Sequence, residues 1–157
     1  MQLRNLSTKI GKLLRKKKLS LAICESCTGG MLGSVITSIP GSSKYFSGGI
    51  IAYSNDAKTG IVGVREDTLK KYGAVSAEVA VEMAKGVHKK LKSDIGIGIT
   101  GIAGPTGSSK KKPVGLVYIA ISQRRKITVK CFLFKGNRDA IRKKACKEAL
   151  FLLNSSI

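Results

Sequence analysis

A chain of 157 residues is long enough to bury an apolar core without help from disulfides or a structural metal. Its hydrophobic share of 43% and charged share of 24% are those of a globular protein, which excludes a disordered chain. The formal charge of +20, from 29 Lys and Arg against 9 Asp and Glu, favours anionic partners such as phosphorylated metabolites, nucleic acid or acidic membranes.

In chain order, Leu3, Leu6, Ile10, Leu13 and Leu14 recur at helical spacing, so residues 4–17 are predicted to form an amphipathic helix with a basic outer face. Residues 19–24, LSLAIC, read as a buried strand, broken by the turn Glu25 to Gly30. A helix follows from Met31 to Ser38, and Pro40-Gly41-Ser42-Ser43 is a strong turn signal. Gly48 to Tyr53 is a second strand, after which Ser54-Asn55-Asp56 caps a short helix over 56–62. Residues 66–72 add a further helical turn, and a long helix runs from Ser76 to about Lys92. Asp94 to Ile99 is a third strand, ending in TGIAGP and a Gly/Ser/Lys-rich loop to Lys112. Gly115 to Ser122 and Ile127 to Phe134 form an antiparallel hairpin, and Asn137 caps a last helix to about Leu153. This alternation, closed by one hairpin, predicts a layered α/β fold with a mixed β-sheet, one domain over 1–157.

The start of the chain lacks the uninterrupted apolar core of a signal peptide, and no run reaches membrane-spanning length. A cytoplasmic protein with no membrane partner is expected. Four cysteines fit a reducing compartment. Cys24 and Cys27 make a C-x-x-C, but no second pair has zinc spacing and the one histidine, His88, is remote in sequence, so no metal site is expected. The lysines fall in short runs flanking apolar segments, as solvated positions do. With aromatics at 5%, stacking platforms are few, and nucleic acid is not the expected partner.

In open α/β sheets, ligands gather beyond the carboxyl ends of the strands. Three such ends carry unusual polar loops: ESCTGG, YSNDAK and TGIAGP. A fourth turn, PGSS, precedes the second strand. Ser43 there is either an exposed nucleophile on a tight turn or a helix cap. Lys58 is either a general base, if burial and nearby cations keep it neutral, or a cation on a helix surface. With a single histidine, a lysine is the better candidate base for a serine hydrolase. The glycines of TGIAGP let backbone N–H groups approach an anion, and Arg138 beside a helix start suits a phosphate or carboxylate.

In this order, ESCTGG, PGSS, GGIIAYSNDAK, GAVS, TGIAGP and KPVGLV resemble the CinA C-terminal domain family, the nicotinamide mononucleotide amidohydrolases, from about Leu21 to Arg142. The resemblance implies a three-layer α/β/α domain and a Ser/Lys amidohydrolase without cofactor, releasing ammonia from its nucleotide substrate. It assigns Ser43 as nucleophile, Lys58 as general base and Tyr53 as a hydrogen-bonding assistant near the nucleophile or the developing oxyanion. Substrate contacts are expected from Glu25, Thr28 and Gly29 of ESCTGG, from Thr100, Gly101 and Gly104 of TGIAGP, and from Arg138. Glu25 either orients the glycine turn or contacts the ribose. A homodimer or larger homo-oligomer and the stand-alone form of the family are also implied. Where family members commonly carry acidic residues after TGIAGP, this chain has Thr106-Gly107-Ser108-Ser109-Lys110-Lys111. The alternative is a protein that binds a nucleotide or nucleic acid through its basic surface without turnover.

Overall fold

The structure is a computed structural model that describes residues 2–157. Helix α1 (Leu3–Lys17) buries Leu6, Ile10 and Leu14, four residues apart on one stripe. It stops at Lys18, whose left-handed backbone (φ 54°) turns its N–H back on the carbonyls of Leu14 and Arg15.

Strands β1 (Leu21–Glu25), β2 (Phe46–Ile51), β3 (Ile95–Gly101), β4 (Leu116–Gln123) and β5 (Lys126–Leu133) form one sheet, in the order β2-β1-β3-β4-β5. β1 pairs in parallel with β2 and β3, whereas β4 is antiparallel to β3 and β5. The sheet is therefore mixed. Asp94 latches the start of β3 to β1, its carboxylate accepting the N–H (2.8 Å) and hydroxyl (2.7 Å) of Ser20.

The remaining helices are α2 (Met31–Thr37), α3 (Asn55–Val62), α4 (Glu66–Tyr72), α5 (Ala77–Lys90) and α6 (Arg138–Ser156). On one face, Leu32 and Ile36 of α2 and Ile141, Ala145 and Leu153 of α6 pack with α1 over Ile23, Ile97 and Ile99. On the other, Val62 of α3, Leu69 of α4 and Val79, Met83 and Val87 of α5 cover Ala22 and Cys24. The fold is thus a three-layer α/β/α sandwich. The alternating IGIGI of β3 explains how close the layers come. Its isoleucines face α1, α2 and α6, while a Cβ at Gly96 or Gly98 would lie 2.1 or 2.2 Å from the α5 carbonyls of Ala84 or Ala80. Only glycine lets α5 rest its backbone on the strand.

Several boundaries differ from the sequence reading. β2 begins at Phe46, because it pairs with Leu21, and ends at Ile51, leaving Tyr53 outside the sheet. α6 continues to Ser156, with Leu152 and Leu153 still buried. The C-x-x-C straddles the sheet: Cys24 packs under α5 and Cys27 joins the opposite cluster. Both thiols are free, and burial pushes each up to about 12, which keeps them uncharged and unreactive. Among the described residues, no helix is long and apolar enough to cross a membrane.

Because β1, β2 and β3 run parallel, their carboxyl ends open at one end of the sandwich. The segments that leave them carry the polar side chains described next.

Candidate functional site

Ser26 follows the last residue of β1 and still pairs as strand, its N–H donating to Ile99 O (3.0 Å). The chain then reverses through Gly29 (φ 56°) and Gly30 (φ 92°), left-handed conformations that favour glycine. Glu25 fixes this reversal. Its carboxylate, 1% exposed, accepts N–H groups from Gly30 (3.1 Å), Leu32 (3.1 Å) and Gly33 (2.8 Å). From the α6 side, Arg142 Nη2 donates to Thr28 O (2.8 Å). The turn is clamped from both sides, and the Ser26 hydroxyl is held toward α3.

Lys58 reaches it there. Ser54 caps α3 by accepting the Ala57 N–H (3.0 Å), and the first turn aims Lys58 inward until only 2% of it is exposed. Its Nζ donates to Ser26 Oγ at 3.0 Å and to Tyr53 O at 3.1 Å. Among the described residues, no carboxylate pairs with it. Burial lowers its pKa below the ordinary lysine value, against a smaller upward pull from Cys24 and Cys27. A buried amine with a depressed pKa, bonded to a serine hydroxyl, can accept that hydroxyl's proton.

The pair opens onto a cavity of about 330 Å³. Tyr53 and Asn55 form one side, Ala74 and Val75 a second, and the loop from Thr100 to Gly107 a third. Arg138, at the first turn of α6, braces the mouth. Its Nη1 donates to Gly104 O (2.7 Å) and its Nη2 to the Tyr53 hydroxyl (3.0 Å). Thr100 braces the floor, donating to Ala74 O (2.8 Å). The cavity lining holds two basic side chains, Lys58 and Arg138, and among the described residues no carboxylate. A larger cleft of about 710 Å³ opens between the end of α3 and α5, but lysines and the Arg65–Glu82 ion pair line it, with no nucleophile beside a base.

The structure therefore brings Tyr53, Lys58, Thr100, Gly101, Gly104 and Arg138 to one cavity. Glu25, Thr28 and Gly29 do not line it. They lie behind the turn, where Glu25 and the Thr28 carbonyl hold its shape.

The structure does not bring Ser43 to this cavity. Ser43 sits in a single 3-10 turn, Ser42–Lys44, at the amino end of β2, whereas Tyr53 and Lys58 lie beyond its carboxyl end. The strand between them spans roughly 20 Å at about 3.3 Å per residue, so Ser43 cannot meet Lys58. Ser26, which the sequence reading passed over, occupies that place. The available signal was its position: it is the first hydroxyl after a fully buried strand, at a carboxyl end.

A buried serine–lysine pair at the carboxyl ends of parallel strands, within an α/β/α sandwich, defines the structural class. The chain belongs to the CinA C-terminal domain family, whose sequence profile matches residues 3–157. A CinA-like protein of Thermotoga maritima is 50% identical over 139 residues, 88% of this chain and 34% of that relative. The chain spans only 34–36% of such curated relatives, about a third of their length. The crystal structure of the competence/damage inducible protein CihA from Agrobacterium tumefaciens matches at TM-score 0.95 and 35% identity, over 98% of this chain and 94% of that one. A CinA superfamily protein from Escherichia coli matches at TM-score 0.96 and 31% identity, over 99% and 91%.

Proposed function

We propose that the chain hydrolyses the carboxamide of nicotinamide mononucleotide to nicotinate mononucleotide and ammonia, with Ser26 as nucleophile and Lys58 as general base. The observation that carries this reading is the 3.0 Å contact between Lys58 Nζ and Ser26 Oγ at the wall of a carboxylate-free cavity. In the neutral amine form the contact runs the other way, with the hydroxyl donating to Nζ.

Lys58 takes the Ser26 proton as Oγ bonds to the carboxamide carbon. The C–N bond breaks as the lysine ammonium returns that proton to the departing nitrogen, and ammonia leaves. A water molecule, deprotonated by Lys58, attacks the Ser26 ester, and the proton passes back to Oγ. The Tyr53 hydroxyl accepts from Arg138, so its own hydrogen is free to donate to the oxyanion. One such donor contributes about 3–4 kcal/mol in other hydrolases. Arg138 uses two guanidinium nitrogens on protein partners, and its remaining donors suit the substrate phosphate.

The test is ammonia release from nicotinamide mononucleotide by the purified chain. No release from a folded sample that binds the nucleotide sinks the hydrolase and leaves a nucleotide-binding protein.

A further inference from the structure

The loop after β3 has two halves. Its first half lines the cavity through Ala103, Thr106 and Gly107. Its second half closes into a turn: Ser109 N–H donates to Lys112 O (2.9 Å), and Lys112 N–H to Ser109 Oγ (3.2 Å). The Lys112 ammonium then crosses to Tyr72 O (2.5 Å), at the C-terminal, negative end of α4. That bond ties the loop to the segment that supplies Ala74 and Val75, the facing wall of the cavity. Lys110 and Lys111 stand at the tip of this tethered turn. Both are exposed, and neither belongs to an ion pair among the described residues.

We propose that the Ser109–Lys112 turn is a specificity-determining collar that favours phosphorylated ligands of the cavity over their uncharged counterparts. The inference rests on the cavity's being a nucleotide site and does not require turnover. Two unpaired cations three and four residues beyond Gly107, the last loop residue of a lining that holds Arg138 and no carboxylate, add to a local positive potential, which raises the concentration and capture rate of anions. The tether matters because a free lysine-rich loop would average its charge over solvent, whereas a pinned turn keeps it at the rim. In general, a lysine about 8 Å from an anion in water is worth roughly a twofold change in affinity at low salt.

The experiment uses Ser26→Ala protein, so that ligands bind without reaction, and reads dissociation constants by calorimetry. The ligands are nicotinamide mononucleotide and nicotinamide riboside, which lacks the phosphate. Replacing Lys110 and Lys111 together by Gln is expected to weaken the mononucleotide about four- to sixfold at low salt and to move the riboside less than about twofold. Salt at about 0.5 M should erase the difference between the two proteins. Replacing Lys89 and Lys90 by Gln, at the far end of α5, removes the same net charge and is expected to move neither ligand by more than about twofold. Equal effects on both ligands, an equal effect from the Lys89/Lys90 pair, insensitivity to salt, or no binding of the mononucleotide each overturn the collar. Ammonia release by the unmodified chain is scored separately, so a binding-only protein sinks the hydrolase while the collar stands.

Discussion

Two glycine–serine turns in this chain look alike in sequence and have opposite fates. ESCTGG and PGSS each pair glycine with serine, and each bends through left-handed glycines: Gly29 and Gly30 in one, Gly41 (φ 81°) in the other. The first leaves the carboxyl end of a buried central strand, so its serine is 7% exposed and in contact with a buried lysine. The second enters the amino end of an edge strand, so Ser43 is exposed and its side chain makes no hydrogen bond among the described residues. Burial and contact with Lys58 are decided here by strand polarity, not by the composition of the turn.

The sharpest way to break this comparison is to delete each hydroxyl. Ser26→Ala is expected to lower kcat by about 10⁴-fold or more, as loss of a covalent nucleophile does. Ser43→Ala should stay within about twofold. The check is ammonia release from both variants, with circular dichroism confirming the fold. The reverse result would return the nucleophile to PGSS, away from Lys58.

Lys58 separates the turns by its absence from one of them. Lys58→Met is expected to cost about 10² to 10⁴-fold in kcat, the usual contribution of a general base. It should also raise the melting temperature at neutral pH. The folded-state pKa is depressed by burial, so folding disfavours the ammonium, and the wild type carries that penalty below its folded pKa. The penalty fades as pH rises from the folded value toward about 10.4, the unfolded one, so the variant's advantage should fade over the same interval. In the wild type, kcat/KM should climb with pH and level off below the ordinary lysine range. A profile that keeps climbing to about pH 10.4 would mean that Lys58 is not the titrating base.

Glu25 carries the next largest effect. Its carboxylate accepts three N–H groups with no solvent contact, so Glu25→Gln puts an amide NH₂ against a backbone donor. The expected cost is about 1–3 kcal/mol of stability and a fall in kcat as Ser26 drifts from Lys58. KM should change little, because Glu25 does not line the cavity. A rise in KM with kcat preserved would mean that Glu25 reaches the substrate instead.

The fold was largely legible because its signals are periodic. The stripe Leu6, Ile10, Leu14 and the run IGIGI identify a helix and a buried strand by themselves, and their order implies a mixed sheet. Strand ends were less legible, since pairing partners set them: Phe46 joins β2 only because Leu21 lies beside it. At the site, Lys58 and Tyr53 could be picked from one short motif, but their serine lies 32 positions from Lys58 in the chain. Such a contact depends on β1 and β2 being neighbours. The rule about carboxyl ends points to ESCTGG and not to PGSS. The bracing bonds of Arg138 to Gly104 and of Lys112 to Tyr72 depend on rotamers that no sequence pattern encodes.

The smallest expected effect makes the comparison symmetrical. Gly41 and Gly29 both need left-handed backbone, and an added Cβ would find its nearest atom 3.8 Å away at Gly41 and 3.5 Å away at Gly29. Neither position is crowded, so alanine at either costs mainly the left-handed conformation, about 1–2 kcal/mol. For a chain of this size that is a fall of a few degrees in melting temperature, roughly 2–4 °C per kcal/mol. The two variants should therefore melt alike. They should differ in turnover, because any relaxation at position 29 passes through the Ser26–Gly29 hydrogen bond to Ser26, whereas relaxation at 41 ends in solvent. Equal melting with unequal kcat would show that the two turns differ in what they hold rather than in how they are built. Equal kcat would mean that the Glu25 clamp alone positions Ser26.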